Sequence, residues 1–455
     1  MPVLLVILSA LVCSGAPRSR PAQLEGERLF EQGVTLLAQR QFAEAVAVFN
    51  RLKQINPKDP RPYFYSGMAL AETGRLSAAA LELDEAVRLD PQQLEYLVLQ
   101  ANVLVRLKQR THAEELLADI EKQGPMKLKA PSLWTLSDAY YRLERFNDAL
   151  RILDLLAERN PDDPRLDLNR GQVYAVWNKF DQAQAALLKS VATHPENPLA
   201  HFELGKLLYL RGDLPAARKA LLEAVRLEKN DPQYFQKLGA VCLALQEIDE
   251  ALVYLERAVA LDPNSVEVCY SLGQAWRRKG EREKAAEFGR KFQELKRGEE
   301  KREEVERLLA RGERMLDEGN SDEARALFMQ VVQADTNNWS AHGYLAEMFI
   351  AAGDWQKAWP HLTKMEALDA DSVVGAWLMA RYWHQQQEFE KARVYAERVR
   401  LVRPGHAQAR HLLGSIYVAL NQPEKALTEF EAAVILAPER ADFRADLQRL
   451  KSSPR

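Results

Sequence analysis

The sequence predicts an all-α protein built as a solenoid, a row of about twelve helix–turn–helix hairpins. Three observations carry this. A small residue recurs in the first helix of each hairpin, at Gly33, Gly67, Ala101, Ser137, Gly171, Gly205, Gly239, Gly273, Gly312, Ala346, Ala380 and Gly414, for the most part every 34 residues. An alanine follows each of them twelve residues later, from Ala45 to Ala426. A proline closes most units, at Pro57, Pro91, Pro125, Pro161, Pro195, Pro263, Pro404 and Pro438. Paired small residues let two helix backbones approach closely, and proline cannot continue a helix. One such hairpin cannot bury both of its apolar faces alone, so it needs a like neighbour on each side.

Residues 232–265 show the unit most plainly. Phe235, Leu238, Gly239 and Cys242 recur at spacings of three and four, which is one face of a helix. A turn is expected at Gln246-Glu247, followed by a second helix with Ala251, Leu255 and Ala258 inward and Leu261-Asp262-Pro263 at its end. Leu238-Gly239 recurs as Leu204-Gly205 and as Leu272-Gly273. This pattern resembles the tetratricopeptide repeat family, over about residues 26–440. The resemblance implies a right-handed superhelix whose first helices line a concave groove that holds protein partners. Lys229, Arg297, Thr336 and Ala370 stand where the closing proline is expected, and Gly289 replaces a bulky second-helix residue.

In chain order, residues 1–16 read as a signal peptide: an apolar run from Val3 to Val12, then Ser14, Gly15 and Ala16. No basic residue precedes the run, and Pro17 disfavours cleavage directly after Ala16. Residues 17–25 read as a polar linker, and 26–297 as a first block of eight repeats. Asp59-Pro60, Asp163-Pro164, Asn197-Pro198 and Asp231-Pro232 place a capping side chain before a proline at a helix start. Gly74, Gly212, Gly280, Gly319 and Gly353, with Asn178 and Asn421, occupy the turn between the helices of a hairpin, where a left-handed residue is expected. Gly124-Pro125-Met126-Lys127 adds two residues, so a bulge is expected there. Residues 281–314 are dense in both charges and the repeat spacing jumps by five, which reads as a long solvated helix or, at 298–304, as a charged elbow centred on Gly298. Residues 305–440 hold a second block of four repeats, and 441–455 a capping helix and tail with Phe443, Leu447 and Leu450 on one side.

A net charge of −3 with 28% charged residues argues against a nucleic-acid binder, which needs a concentrated basic surface, and leaves room only for a local basic patch. The eight histidines form no HExxH pair, and no phosphate loop, nucleophile elbow or dinucleotide fingerprint occurs. No catalytic residue, metal site, cofactor or small-molecule substrate is expected, and almost every residue after 26 belongs to a repeat. Cys242 and Cys269 fall on inward helix positions and read as buried thiols, while Asn338-Trp339-Ser340 is a formal glycosylation sequon.

What remains is a binding surface. By register, Phe30, Phe64, Trp134, Phe202, Tyr270 and Trp377 form a groove stripe, with Asp138, Lys206, Gln274 and Arg381 one turn later. None of the six is a lysine, which argues against the acidic chaperone tails that some of the family hold. Partner binding is expected on the second block at Trp377, Arg381 and His384, spaced i, i+4, i+7, extended by Glu347 and His411, with Ala380 and Trp383 turned to the second helix. The rival site is Trp134, Asp138 and Tyr141. The expected function is an exported, periplasmic or secreted, scaffold or adaptor for a peptide or protein. The alternative is an accessory subunit of a membrane-associated envelope machine, for polysaccharide export or outer-membrane assembly. A lipoprotein or membrane anchor is the lesser form of export, and the oligomeric state is left open.

Overall fold

The computed structural model describes residues 21–452; the expected signal peptide and the first part of the linker lie outside them. Among the described residues the structure is helical throughout and contains no strand. The chain begins with the hairpins α1 (Pro21–Ala38) with α2 (Phe42–Ile55), and α3 (Pro60–Glu72) with α4 (Leu76–Leu89). Residues 21–25, read as linker, are already part of α1. Next come α5 (Leu94–Arg106) with α6 (Arg110–Gln123), α7 (Ala130–Arg142) with α8 (Phe146–Arg159), and α9 (Arg165–Val176) with α10 (Phe180–Thr193). They are followed by α11 (Pro198–Leu210) with α12 (Leu214–Leu227), α13 (Pro232–Ala244) with α14 (Ile248–Leu261), and α15 (Val266–Lys279) with the start of α16 (Arg282–Asp317). After it stand α17 (Ser321–Ala334), α18 (Trp339–Ala351) with α19 (Trp355–Leu368), α20 (Val373–Gln385) with α21 (Phe389–Val402), α22 (Ala407–Ala419) with α23 (Pro423–Leu436), and α24 (Ala441–Ser452).

These helices form two compact units: Gln92–Glu300 is one, and the stretches 21–91 and 301–452 together make the other. The first two hairpins thus group with the last four.

Within a hairpin the close approach rests on the small residue of the first helix. A Cβ added to Gly239 would lie 2.6 Å from Leu255 Cγ, and Gly205 meets Leu221 in the same way at 2.5 Å. The paired alanines are fully buried, among them Ala217, Ala251 and Ala392, except Ala285 on α16, which is half-buried. Where Gly289 replaces the bulky residue, Gly273 has no side chain packed on it closer than 3.8 Å. The turns follow one scheme. The expected glycines have positive φ, from 73° at Gly353 to 92° at Gly280, and Asn178 and Asn421 share it at 58° and 54°. The hairpins without Gly or Asn use Arg40, Lys108, Glu144, Gln246 and Gln387 at the equivalent place. Asp59, Asn197 and Asp231 accept the backbone N–H two residues on, and the expected bulge after α6 is a short 3-10 turn, Pro125–Lys127.

Residues 298–304 lie inside the 36-residue helix α16. Its first half pairs with α15 and its second half with α17, where Gly312 lies against Phe328. No proline interrupts the stretch and its residues are mostly strong helix formers, so one glycine, costing about 1 kcal/mol, does not break it. Ion pairs such as Lys296–Glu300 and Arg307–Glu304 lace its exposed face. At the other end α24 seats Phe443 in the core, with Leu447 and Leu450 against Tyr417 and Phe430.

Candidate functional site

The expected stripe of aromatics is mostly packed away. Phe64 is buried, Phe202 is buried and stacks on Tyr234 at 4.5 Å, and Phe30 lies under Arg61 at 4.7 Å. Trp134 is only 7% exposed, with the Arg165 guanidinium 4.2 Å over its ring. Asp138 already accepts from Asn102 Nδ2 at 2.9 Å and Arg142 Nε at 2.7 Å. Tyr141 is half-buried, and burial, with Glu203 nearby, pushes its phenol up. The rival site is therefore consumed internally. The physical reason is that the next repeat's first helix covers this register. Tyr270 is the exception, 51% exposed beside Phe292.

Trp377 differs. It is half-buried at the start of α20, with His406 on one side at 5.1 Å between ring centroids and Arg381 Cζ 5.7 Å from its ring. Arg381 has no ion pair among the described residues. Ala380 is fully buried, and Trp383 packs on Trp359 at 5.2 Å, as the register requires. His384 corrects the expectation that none of the stripe turns toward the second helix. It rests edge-on against Phe389, the first residue of α21, at 5.7 Å, and burial depresses its imidazole. His411 does not face an open groove either. It stacks on Phe443 of α24 at 4.2 Å, and its Nε2 sits 2.9 Å from Asp446 Oδ2. The capping helix takes it.

Glu347 is exposed on α18, and the structure joins it to residues that the sequence reading passed over. Glu313 of α16 accepts from Tyr344 Oη at 3.0 Å, and burial, helped by Asp317, raises its carboxyl. Glu313, Asp317 and Glu347 take part in no ion pair among the described residues, although surface carboxylates elsewhere in the chain are often paired. Glu313, Glu347 and Arg381 are spaced by 34 residues, so the repeat period itself pointed to Glu313. The surface thus runs from carboxylates on α16 and α18 to an aromatic ring and a cation on α20.

Two other clusters lie apart. His342 and His361 touch through their Nδ1 atoms at 2.9 Å, both buried. Cys242, Glu247 and Glu250 bring a sulfur and carboxylates within 4.8 Å of one another, a spacing open to a metal. The Arg218 guanidinium already holds that place: it pairs with Glu250 and lies 3.2 Å from Glu247. Burial and Glu247 push the Cys242 thiol up to about 11, away from the thiolate a metal needs. The residues do not fit a metal centre. Cys242 and Cys269 are free and buried, as expected. No helix among the described residues is long and apolar enough to cross a membrane.

The model of the tetratricopeptide repeat family matches residues 30–93, 135–176, 178–234, 239–300, 309–372 and 379–441. The chain belongs to the tetratricopeptide repeat family. Its fold is that of a protein–protein interaction scaffold, in a family whose members typically bind protein partners and are typically non-catalytic. No curated protein matches the chain. Among solved structures it is similar to MamA from Desulfovibrio magneticus RS-1, at 23% identity over 36% of this chain and 94% of that one, with a TM-score of 0.34. A tetratricopeptide repeat protein from Parabacteroides merdae is similar at 15% identity, covering 55% of this chain and 99% of that one, with a TM-score of 0.45. The APC/C hetero-tetramer Cut9–Hcn1 covers 93% of this chain and 96% of its own at 15% identity, with a TM-score of 0.31.

Proposed function

We propose that the protein is an exported scaffold that holds an extended segment of a partner protein along the second block of repeats. The surface runs over Glu313, Glu347, Trp377 and Arg381. The observation that carries this reading is the half-buried Trp377 ring beside an Arg381 that makes no ion pair. A flat apolar ring next to an uncommitted planar cation is the combination that dominates binding energy at interfaces. The unpaired carboxylates two helices back supply the opposite charge, so a segment lying along the groove is read in one direction. His411, held by the capping helix, and Trp134, already covered, have no place in it.

The test is a capture experiment from the native host. Trp377→Ala with Arg381→Ala should abolish capture of the partner while the midpoint of thermal unfolding stays within about 2 °C, the size of a surface change. Unchanged capture would remove the site from this groove, and a large loss of stability would make both residues part of the core. Export is tested separately, by the mass of the protein from its own cells. Loss of the first 13–16 residues is the expected result, and an intact Met1 would overturn it.

A further inference from the structure

The unit made of residues 21–91 and 301–452 brings its two separated stretches of chain into contact. At the centre is the loop between α21 and α22. Pro404 is buried in it, and a Cβ added to Gly405 would lie 2.8 Å from Glu85 Oε1 and 3.6 Å from Tyr63 Oη. The loop backbone thus lies directly against the Glu85 carboxylate of α4: a small side chain at 405 would need that carboxylate to swing aside, and a negatively charged one would be repelled by it. Gln54 Nε2 of α2 donates to the Leu401 carbonyl at 3.2 Å. That carbonyl belongs to the last turn of α21, where the helix itself offers no donor, so Gln54 caps α21 from a distant part of the chain. Arg75, in the turn after α3, reaches Asp369 at 3.9 Å.

Behind this contact lies buried charge. Lys53 is 0% exposed and donates to Glu82 at 2.6 Å, Asn50 at 3.0 Å and Ser66 at 3.1 Å. Burial holds its ammonium below the usual lysine range, and Arg403, in the loop, adds to that shift. On its other side the loop reaches the groove. His406 caps α22 by accepting the Ala409 N–H on Nδ1 at 3.1 Å, and its ring lies 5.1 Å from Trp377.

We infer that the first two hairpins form a clasp on the 403–406 loop, and that through His406 this clasp fixes Trp377 in the groove. The Gln54–Leu401 and Arg75–Asp369 contacts are solvent-exposed, and exposed polar contacts are the ones that open locally at low cost. Opening it releases the loop, the cap of α22 and one wall of the tryptophan together. The clasp stands without any partner; only the meaning of Trp377 rests on the groove reading above.

The experiment uses the full chain with Cys13→Ala, spin labels at Arg51→Cys on α2 and Lys391→Cys on α21, and pulsed electron resonance to read their separation. One narrow distance is expected. Gly405→Asp, which sets a carboxylate against Glu85, should broaden it and shift it to longer values. Gly405→Asp with Glu85→Lys should restore the narrow distance, which a merely misfolded loop would not do. Gln54→Ala, the milder change, should broaden the distribution partway with helicity intact. A distribution unchanged by Gly405→Asp, or not recovered in the double variant, would overturn the clasp. The link to the groove is read in fluorotryptophan-labelled protein, with the Trp377 fluorine signal assigned by Trp377→Phe. That signal should move in Gly405→Asp and return in the double variant, and a fixed signal would overturn the coupling. None of these readouts involves a partner, so failure of the partner reading would show only in capture.

Discussion

His342 and His361 show what a single buried contact does to the chemistry of a repeat. The Thr336 carbonyl can only accept, so His342 donates to it from Nε2 at 3.2 Å. Its Nδ1 is then an acceptor, and His361 must donate from Nδ1 across the 2.9 Å contact. Both rings are neutral in this arrangement. Burial, and then the His342 ring, hold His361 down to about 4, and burial also depresses His342. Of the charges facing the pair, Lys364 opposes protonation of His342 and Asp335 favours it. The sign follows directly. The unfolded chain takes protons at these groups before the folded one does, so their contribution is complete above about pH 6.5 and is lost as pH falls toward about 4. Thermal unfolding should therefore fall steeply between those limits. In His361→Phe the midpoint should be lower at pH 8 but the fall shallower. An equally steep fall in the variant would remove the pair as its cause.

At the scale of the element, the turn between paired helices fixes one residue per hairpin in the left-handed region, whatever its type. Gln246 has φ 66° where the neighbouring hairpins place Gly212 and Gly280. A side chain there is strained by about 1 kcal/mol or more, so Gln246→Gly should raise the unfolding midpoint and Gly212→Ala should lower it. Denaturant titration of both checks the sign, and equal effects in one direction would refute the common turn. These turns were legible because glycine and asparagine mark them in seven hairpins and the 34-residue period extends them to the other five. The helices were legible for the same reason. The stripe was not. Register placed Phe64, Trp134 and Phe202 on the groove side, but register of one helix does not say what the next repeat lays over it. Register named Trp377, Arg381 and Glu347 as candidates; Glu313 lies one 34-residue period before Glu347 but inside the charged stretch, which reads by its charge pattern and not by its register. The fate of His411 depended on Phe443 and Asp446, which no repeat motif predicts. Helix α16 has its own consequence. Gly298→Pro would remove a backbone donor in mid-helix and cost about 3 kcal/mol or more. Circular dichroism should show a loss of helix for that variant and almost none for Gly298→Ala.

At the scale of the molecule, stability in a stacked array is close to a sum of the hairpins and of the faces between neighbours, so an end face left open weakens the last hairpin first. Here α24 closes that face. Phe443 is 2% exposed, it stacks on His411, and Leu447 and Leu450 extend the seal over Tyr417 and Phe430. Asp446 adds the contact to His411, and Lys451 reaches Glu431 on α23 at 2.8 Å. Truncating Phe443 to alanine removes a fully packed ring, which costs about 3–5 kcal/mol where the site cannot collapse. A single-cored protein would spread that loss over the whole transition. In this array it should appear as faster amide exchange in α22 and α23, fading by α18, with α9 to α12 unaffected. Hydrogen-exchange mass spectrometry of Phe443→Ala reads this gradient directly. Uniform loss of protection along the chain would show that the repeats unfold as one cooperative body, and that the nearest-neighbour account of their stability is wrong.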